Sequence, residues 1–128
     1  QKLAAEERTA LIWISHDLSI VSGLVDEVAV MYGGRIVEYG PVADVMTRPL
    51  HPYARGLIGS IPGRQPRGGR LVQIPGMVPS PLDRPPGCAF RNRCSLATDI
   101  CATEPPLAEP APGRSVRCVL AGREAVPA

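Results

Sequence analysis

The chain has 128 residues, with 15 prolines, 13 glycines and four cysteines but only five aromatic side chains, and its formal net charge is +2. A chain of this length can bury one modest hydrophobic core. No apolar run approaches the roughly 18 residues that span a bilayer, and the first residues lack the character of a signal peptide. The sequence therefore excludes a membrane-spanning helix and gives no indication of export.

Proline content and charge divide the chain near Arg48. Residues 1–47 contain one proline, three basic and seven acidic side chains, whereas residues 48–128 contain 14 prolines, eleven basic and five acidic side chains. We predict a patterned first part, followed by a Pro/Gly/Cys-rich extension with little regular secondary structure. The arginines of the extension are scattered and have no aromatic side chains between them, so we predict no nucleic-acid partner.

The first part begins with a helix-like pattern and a strand-like run. Residues 1–9 are typical of the end of an amphipathic helix, and the apolar run Ala10–Ser15 predicts a buried parallel strand. Asp17 is expected to cap a short helix that runs to about Val25. Because the chain begins with Gln1 inside a helix-like pattern, we expect it to be the C-terminal piece of a longer protein.

A hairpin and two helices are predicted next. The runs Glu27–Tyr32 and Arg35–Tyr39 are separated by Gly33-Gly34, which is typical of a hairpin turn. Pro41 predicts a helix with proline at its first position. That helix should end by Arg48, because the residue before a proline disfavours the α conformation.

A further short helix is predicted to start at His51-Pro52, with His51 near its cap and Pro52 in its first turn. The predicted elements suit the closing edge of an α/β domain, and their strands are too few for a whole one.

One histidine directly follows the predicted parallel strand. In open α/β sheets, ligands bind in the crevice beyond the carboxyl ends of the strands. A neutral imidazole there can donate a hydrogen bond to a phosphate oxygen or polarise an attacking water. His16 is therefore a candidate for phosphate chemistry. The alternative is that His16 caps the next helix, and its position alone favours this structural role.

The sequence around this histidine and the hairpin resembles the end of ATP-binding cassette (ABC) ATPases. The resemblance rests on Leu-Ile-Trp-Ile-Ser-His-Asp-Leu at residues 11–18 and on Asp-Glu-Val-Ala-Val-Met-Tyr-Gly-Gly-Arg-Ile-Val-Glu-Tyr-Gly at residues 26–40. It implies that residues 1–47 form the C-terminal edge of a P-loop NTPase domain. It also implies that His16, as the switch histidine, contacts the γ-phosphate of Mg-bound ATP held between two nucleotide-binding subunits.

The chain lacks the other nucleotide-binding motifs of this family. A phosphate-binding loop needs Gly-x-x-x-x-Gly-Lys-Ser/Thr, in which backbone N–H groups and a lysine hold the phosphates, and Lys2 is the only lysine. The signature sequence, the glutamine loop and the Asp and Glu of the Walker B strand are also missing. We therefore predict that this chain alone neither binds ATP tightly nor hydrolyses it.

Four cysteines lie in the proline-rich part, with five, six and sixteen residues between successive members: Cys88, Cys94, Cys101 and Cys118. Disulfides are disfavoured in a chain without a secretory signal, and unrelated buried thiols would need a core that this loop hardly offers. A metal site would order such a loop without a core. Four thiolates suit Zn²⁺ or an iron–sulfur cluster, and the absence of a close Cys-x(2–4)-Cys pair mildly disfavours zinc.

Nearby arginines are expected to lower the pKa of the thiols and to offset the negative charge of a thiolate site. The arginines close to the cysteines in sequence are Arg84, Arg91, Arg93, Arg114 and Arg117.

The second part resembles the C-terminal extension of oligopeptide and dipeptide importer ATPases. The resemblance rests on His51-Pro52-Tyr53, on Gly-Cys-Ala-Phe-Arg-Asn-Arg-Cys at residues 87–94, on Cys101, on Glu-Pro-Pro-Leu at residues 104–107 and on Arg117-Cys118. It implies that residues 48–128 form this extension and that the four cysteines ligate a [4Fe-4S] cluster.

Together the two resemblances imply the C-terminal part of an ATP-hydrolysing subunit that powers the import of oligopeptides or dipeptides. The implied partners are a second, homologous ATPase subunit, two membrane permease subunits and, indirectly, an extracytoplasmic peptide-binding protein. The implied location is the cytoplasmic face of the cell membrane. A stand-alone cysteine-stabilised zinc or iron–sulfur module that mediates protein interactions without ATPase activity is the alternative interpretation.

Overall fold

The computed structural model of the chain describes residues 6–7, 9–61 and 73–121. Its regular elements are helix α1 (Leu18–Val21), strands β1 (Glu27–Tyr32) and β2 (Arg35–Pro41), helices α2 (Val42–Thr47) and α3 (Pro52–Gly59), three 3-10 helices (Pro81–Asp83, Arg91–Arg93 and Asp99–Ala102), and strands β3 (Ala108–Ala111) and β4 (Arg114–Val116). The helix predicted over residues 1–9 lies largely outside the described residues. None of the described helices is long and apolar enough to cross a bilayer.

The hairpin predicted around two consecutive glycines is confirmed. β1 and β2 pair antiparallel, with one register shift between Val30 and Met31. Gly33 and Gly34 have φ angles of +56° and +76°, and a two-residue type I′ turn needs positive φ at both central positions. Exposed and buried residues alternate along β1. One face of the hairpin therefore lies against the core.

A second hairpin, from the proline-rich part, completes a four-stranded antiparallel sheet. The strand order is β1-β2-β4-β3. β4 pairs with β2 through Glu38 opposite Val116 and Tyr39 opposite Ser115. Residues on both sides of the compositional boundary thus share one sheet. The proline-rich part contains more regular structure than its composition predicted.

The parallel strand predicted over Ala10–Ser15 is not formed in this structure. These residues form no strand, and the side chains of Ile12 and Ile14 are 93% and 97% exposed. A parallel strand needs neighbouring strands and a cover on both faces, and the pairs described in this chain are all antiparallel. The helix expected to run to Val25 is also shorter, since α1 ends at Val21.

The two helices after β2 lie where the sequence predicted them. α2 starts one residue later than expected, with Pro41 as its N-cap rather than as its first helical residue, and it ends before Pro49. α3 begins at Pro52 with His51 as its N-cap, as predicted. The His51 Nδ1 accepts a hydrogen bond from the Tyr53 backbone N–H at 3.0 Å, so the imidazole takes the role that Ser or Asp usually fills at a helix start.

The core joins the β1–β2 hairpin to α2, α3 and the cysteine-rich loop, residues 87–101. Three aromatic rings lie at its centre: the Tyr32 ring centroid is 4.6 Å from that of Tyr53 and 5.1 Å from that of Phe90. Aromatic pairs at these separations contribute attraction beyond the burial of their area. The other buried members of this cluster are Val21, Val28, Val30, Val37, Val45 and Ala54.

A buried ion pair fastens β4 to β2. The Glu38 side chain is fully buried, and its Oε1 accepts a hydrogen bond from Arg114 Nη2 at 2.8 Å. The same carboxylate accepts bonds from the backbone N–H groups of Leu50 and His51, at 2.9 and 2.8 Å. Arg114 also donates to the Arg48 carbonyl at 2.9 Å. One carboxylate therefore ties the sheet to the start of α3.

Replacing Arg114 by methionine should destabilise the chain by about 3 kcal/mol or more, because the Glu38 charge would stay buried without its counter-ion. The matched control is Arg48→Met, which removes an ion pair with Asp44 whose arginine side chain is 77% exposed. That change should leave the free energy of unfolding nearly unchanged. Chemical denaturation followed by circular dichroism measures both, and equal effects of the two substitutions would contradict the fastening role of the buried pair.

Candidate functional site

The four cysteines lie on irregular parts of the chain after α3. Cys88 precedes the second 3-10 helix and Cys94 directly follows it. Cys101 lies within the third 3-10 helix, and Cys118 lies two residues beyond β4. All four are free thiols. The disulfide interpretation is therefore not what the structure shows.

Two of the cysteine segments are held together by a close backbone approach. The Cys88 N–H donates to the Cys101 carbonyl at 2.9 Å. Gly87, the residue before, has a φ of +79°, and a side chain there would collide with the backbone of Cys101 and Ala102. Only glycine accepts both the left-handed conformation and the contact. The glycine before Cys88 therefore sets the distance between these two cysteine segments.

One pocket is lined by all four cysteines. It is small and partly open to solvent, and its wall also includes His51, Phe90 and Arg91. Cys101 is buried, and the other three cysteines are partly buried. Four cysteines from separate parts of the chain therefore line the same pocket.

The pocket lacks the close grouping that a single metal ion requires. A tetrahedral zinc ion holds four sulfurs about 2.3 Å from one point. Among the described residues, no three His, Cys, Asp or Glu side chains form a group that could hold a metal ion. The four cysteines line one pocket without forming such a group. The role of the four cysteines as ligands of a [4Fe-4S] cluster stays a prediction.

Burial governs the chemistry of the thiols. It is the largest cause that raises the pKa of Cys88, Cys94 and Cys118 above the ordinary thiol value, and the neighbouring cysteines raise it further. Backbone N–H groups oppose this effect only in part. These thiols are therefore protonated near neutral pH, and a metal would have to displace their protons.

The expectation that nearby arginines lower these pKa values is wrong. The guanidinium groups donate elsewhere: Arg93 Nε to the Pro75 carbonyl at 2.7 Å and Arg117 Nη1 to the Pro105 carbonyl at 3.1 Å. Arg114 donates to the buried carboxylate of Glu38. Arg84 donates to the Gly33 carbonyl and Arg91 to the Pro86 carbonyl.

His16, the predicted phosphate-contacting residue, lies in the irregular segment before α1 and is exposed. The preceding Ser15 accepts a hydrogen bond on its Oγ from the Asp17 N–H at 3.0 Å. His16 is not among the residues that line the cysteine pocket. The structure thus brings the four cysteines together and leaves His16 outside that site.

Sequence reasoning missed two residues: His51, which lines the pocket, and Glu38, which holds the His51 backbone in place. Glu38 was treated as an ordinary strand residue, although a charge inside the apolar run of β2 is a signal of a buried, partnered carboxylate. His51 was assigned only to a helix cap. Its position at the pocket carried no sequence signal, because it depends on how α3 packs against the cysteine-rich loop.

The sequence matches a known family over the region that builds most of this site. The family model described as "Oligopeptide/dipeptide transporter, C-terminal region" matches residues 37–101, just over half of the chain. The chain belongs to this family. The matched region of this family member includes His51 and three of the four cysteines, and Cys118 lies beyond it.

Curated relatives of this family member are peptide-transport proteins by name. The chain is 45% identical over 91% of its length to "Oligopeptide transport ATP-binding protein OppD" of Escherichia coli (strain K12), of which it covers 35%. It is 48% identical over 91% of its length to "Probable peptide ABC transporter ATP-binding protein y4tS" of Sinorhizobium fredii, of which it covers 33%. It is 43% identical over 93% of its length to "Putative peptide import ATP-binding protein BOV_A0348" of Brucella ovis, of which it covers 37%.

The chain thus spans about a third of the length of the curated relatives that it matches. The three relatives are named for ATP binding and peptide transport, and they give no support to the alternative of a stand-alone interaction module.

The stability of this family member should fall as the pH is lowered from about 6.5 to about 4. Burial, followed by the charge of Arg55, lowers the pKa of His51 from 6.5 to about 4. Between these values the unfolded chain binds a proton that the folded chain does not, so the free energy of unfolding rises with pH and is fully regained above the unfolded pKa. The effect is at most about 3 kcal/mol.

Denaturant titrations across this pH range measure the effect, with His51→Asn as the control. Asparagine keeps an N-cap acceptor but does not titrate. Arg55, the Glu38 carboxylate bonded to the His51 backbone, and the pocket thiols all remain in that variant. An unchanged pH dependence in His51→Asn would show that another group is responsible.

Proposed function

We propose that this chain is the C-terminal part of a subunit that hydrolyses ATP to power the import of oligopeptides or dipeptides. The observation that carries the proposal is the family match over residues 37–101, supported by 45% identity to an oligopeptide transport ATP-binding protein over 91% of the chain. In this proposal, residues 1–47 close a nucleotide-binding domain of the P-loop class. Residues 48–128 form the transporter-specific extension.

An exposed apolar segment before α1 supports attachment to such a domain. The side chains of residues 11–14 are between 53% and 97% exposed, although a run of this composition is typical of a strand covered on both faces. Strands of a nucleotide-binding domain would pair with this segment and bury it. His16 would then stand at the carboxyl end of a strand, where phosphate groups bind in α/β sheets.

In that position His16 is proposed to act on ATP that is bound with Mg between two nucleotide-binding subunits. Its imidazole would donate a hydrogen bond to the γ-phosphate and hold the attacking water in place. The phosphate-binding loop and the catalytic carboxylate would come from outside residues 1–128. The chain by itself is therefore proposed to be inactive as an ATPase.

The proposed partners follow from the same family assignment. They are a second, homologous ATPase subunit, two membrane permease subunits and, indirectly, an extracytoplasmic peptide-binding protein. ATP-driven closure of the ATPase pair would move the permeases from one access state to the other. The proposed location is peripheral, on the cytoplasmic face of the membrane.

We further propose that Cys88, Cys94, Cys101 and Cys118 hold a [4Fe-4S] cluster. The support is that all four line one pocket and that four thiols are the donor set of such a cluster. When bound, the cluster would supply binding free energy that orders the loop, together with one-electron chemistry. Gly87 and the Cys88–Cys101 backbone bond would hold two of the ligands in place.

A chimera tests the transport-ATPase proposal. Replacing the matching third of the Escherichia coli relative by residues 1–128 should give a protein that hydrolyses ATP. His16→Ala in this chimera should slow hydrolysis by roughly tenfold or more, because a group that stabilises the reacting phosphate and water is lost. Steady-state phosphate release measures both rates.

The matched control is Leu82→Ala, at an apolar side chain that is 94% exposed and remote from His16 in sequence. It should leave the rate unchanged. A chimera that is folded by circular dichroism and hydrolyses ATP equally fast with histidine or alanine at position 16 would contradict the proposed role. Hydrolysis by residues 1–128 alone would contradict the proposed inactivity.

Anaerobic reconstitution with iron and sulfide tests the cluster. The chain should retain about four irons and four sulfides, and replacing any one of the four cysteines by serine should lower that content sharply. Since burial raises the thiol pKa values, loading should be more complete at about pH 8 than at about pH 6. Iron and sulfide assays measure the content.

Ser95→Ala provides the matched control, because Ser95 is exposed and adjacent to Cys94. It should load like the unmodified chain. Retention of one zinc and no iron would reject the cluster and leave the family assignment untouched.

A further inference from the structure

His51 carries a polar atom that the rest of the fold does not use. Its side chain is 1% exposed, and its Nδ1 accepts a hydrogen bond from the Tyr53 N–H at 3.0 Å. In the neutral ring the proton is therefore on Nε2. Nε2 is buried and has no hydrogen-bond partner among the described residues. A buried N–H without an acceptor is costly and rare in folded proteins.

The residue forms part of the wall of the four-cysteine pocket. His51 lines this pocket together with all four cysteines. The neighbouring Phe90 ring, 5.9 Å away between centroids, has no lone pair to offer. The Glu38 carboxylate already accepts bonds from Arg114 and from two backbone N–H groups. The pocket is therefore where an acceptor for Nε2 would lie.

We propose that His51 donates a hydrogen bond through Nε2 to a sulfur of the thiolate-bound group held in the pocket. This proposal rests on the four-cysteine cluster proposed above. Cysteine and sulfide sulfurs accept N–H hydrogen bonds, and such bonds stabilise the more negative, reduced form and slow the loss of metal. His51 is thereby a positioning residue. Its Nδ1 caps α3, and its Nε2 donates a hydrogen bond to the group in the pocket.

Two variants separate these functions of the ring. His51→Asn keeps a side-chain acceptor near the position of Nδ1, which is suited to an N-cap, and removes the far donor. His51→Gln keeps an amide donor at about the reach of Nε2 and weakens the cap. The two changes are similar in size and polarity, so they serve as controls for each other.

The measurement is the rate at which the chain of residues 1–128, loaded with iron and sulfide, gives up its iron to a chelator. His51→Asn should lose metal about tenfold faster than the unmodified chain, and His51→Gln should stay within about threefold. Thermal unfolding of the metal-free chains should show the opposite order, with His51→Gln melting first. In the iron–sulfur form, His51→Asn should also show a smaller reduced fraction at a fixed potential.

Each outcome decides between the proposals. Equal rates in all three chains, with loading that depends on the four cysteines, would overturn the role of His51 and leave the cluster standing. Faster loss from His51→Gln than from His51→Asn would mean that the ring acts through the cap alone, and equally fast loss from both variants would mean that it acts through its packing; either result overturns the hydrogen bond. An unmodified chain that retains no iron would overturn the cluster and this proposal together.

A direct measurement covers the case in which His51→Asn fails to fold. In the unmodified chain loaded with iron and sulfide and then reduced by one electron, electron–nuclear double resonance should detect coupling of the cluster to an isotope-labelled histidine nitrogen and its exchangeable proton. The absence of that coupling in a loaded, folded chain would overturn the proposal.

Discussion

The buried carboxylate of Glu38 is the constraint on which the other parts of the structure depend. A carboxylate away from water is stable only where hydrogen bonds replace its hydration. Glu38 obtains these bonds from β4, through the Arg114 guanidinium, and from the start of α3, through the N–H groups of Leu50 and His51. The donors have to converge on one place. That requirement holds the second hairpin against β2 and fixes the first residue of α3.

The same constraint reaches the cysteine pocket. His51 is held by its backbone to Glu38, so its imidazole is fixed where it caps α3 and forms part of the pocket wall. α3 then brings the Tyr53 ring to within 5.4 Å of the Phe90 ring, measured between centroids. Phe90 lies in the loop between the first two cysteines. The polar network and the aromatic cluster therefore position the pocket from two sides.

Features with a local signal could be predicted from the sequence, and features that depend on distant partners could not. Gly33-Gly34 specifies a hairpin turn by itself, and His51-Pro52 specifies a helix start by itself. The run Ala10–Ser15 has the composition of a buried strand, but composition does not supply the neighbouring strands that it needs. β4 is three residues long among prolines, so its pairing with β2 left no pattern to detect. The convergence of the cysteines depends on that pairing and on Gly87.

The arginines show why proximity in sequence is a poor guide to charge in this pocket. Arg93 precedes Cys94 and Arg117 precedes Cys118, yet both guanidinium groups donate to main-chain carbonyls of other segments. A planar group with five donors can stabilise irregular backbone that lacks its own hydrogen-bond ladder. Because these charges are engaged with carbonyls, burial dominates at the sulfurs and raises the pKa of Cys94 and Cys118. Thiolate formation at Cys94 and Cys118 is therefore disfavoured in this pocket, and a metal that bound them would have to displace their protons.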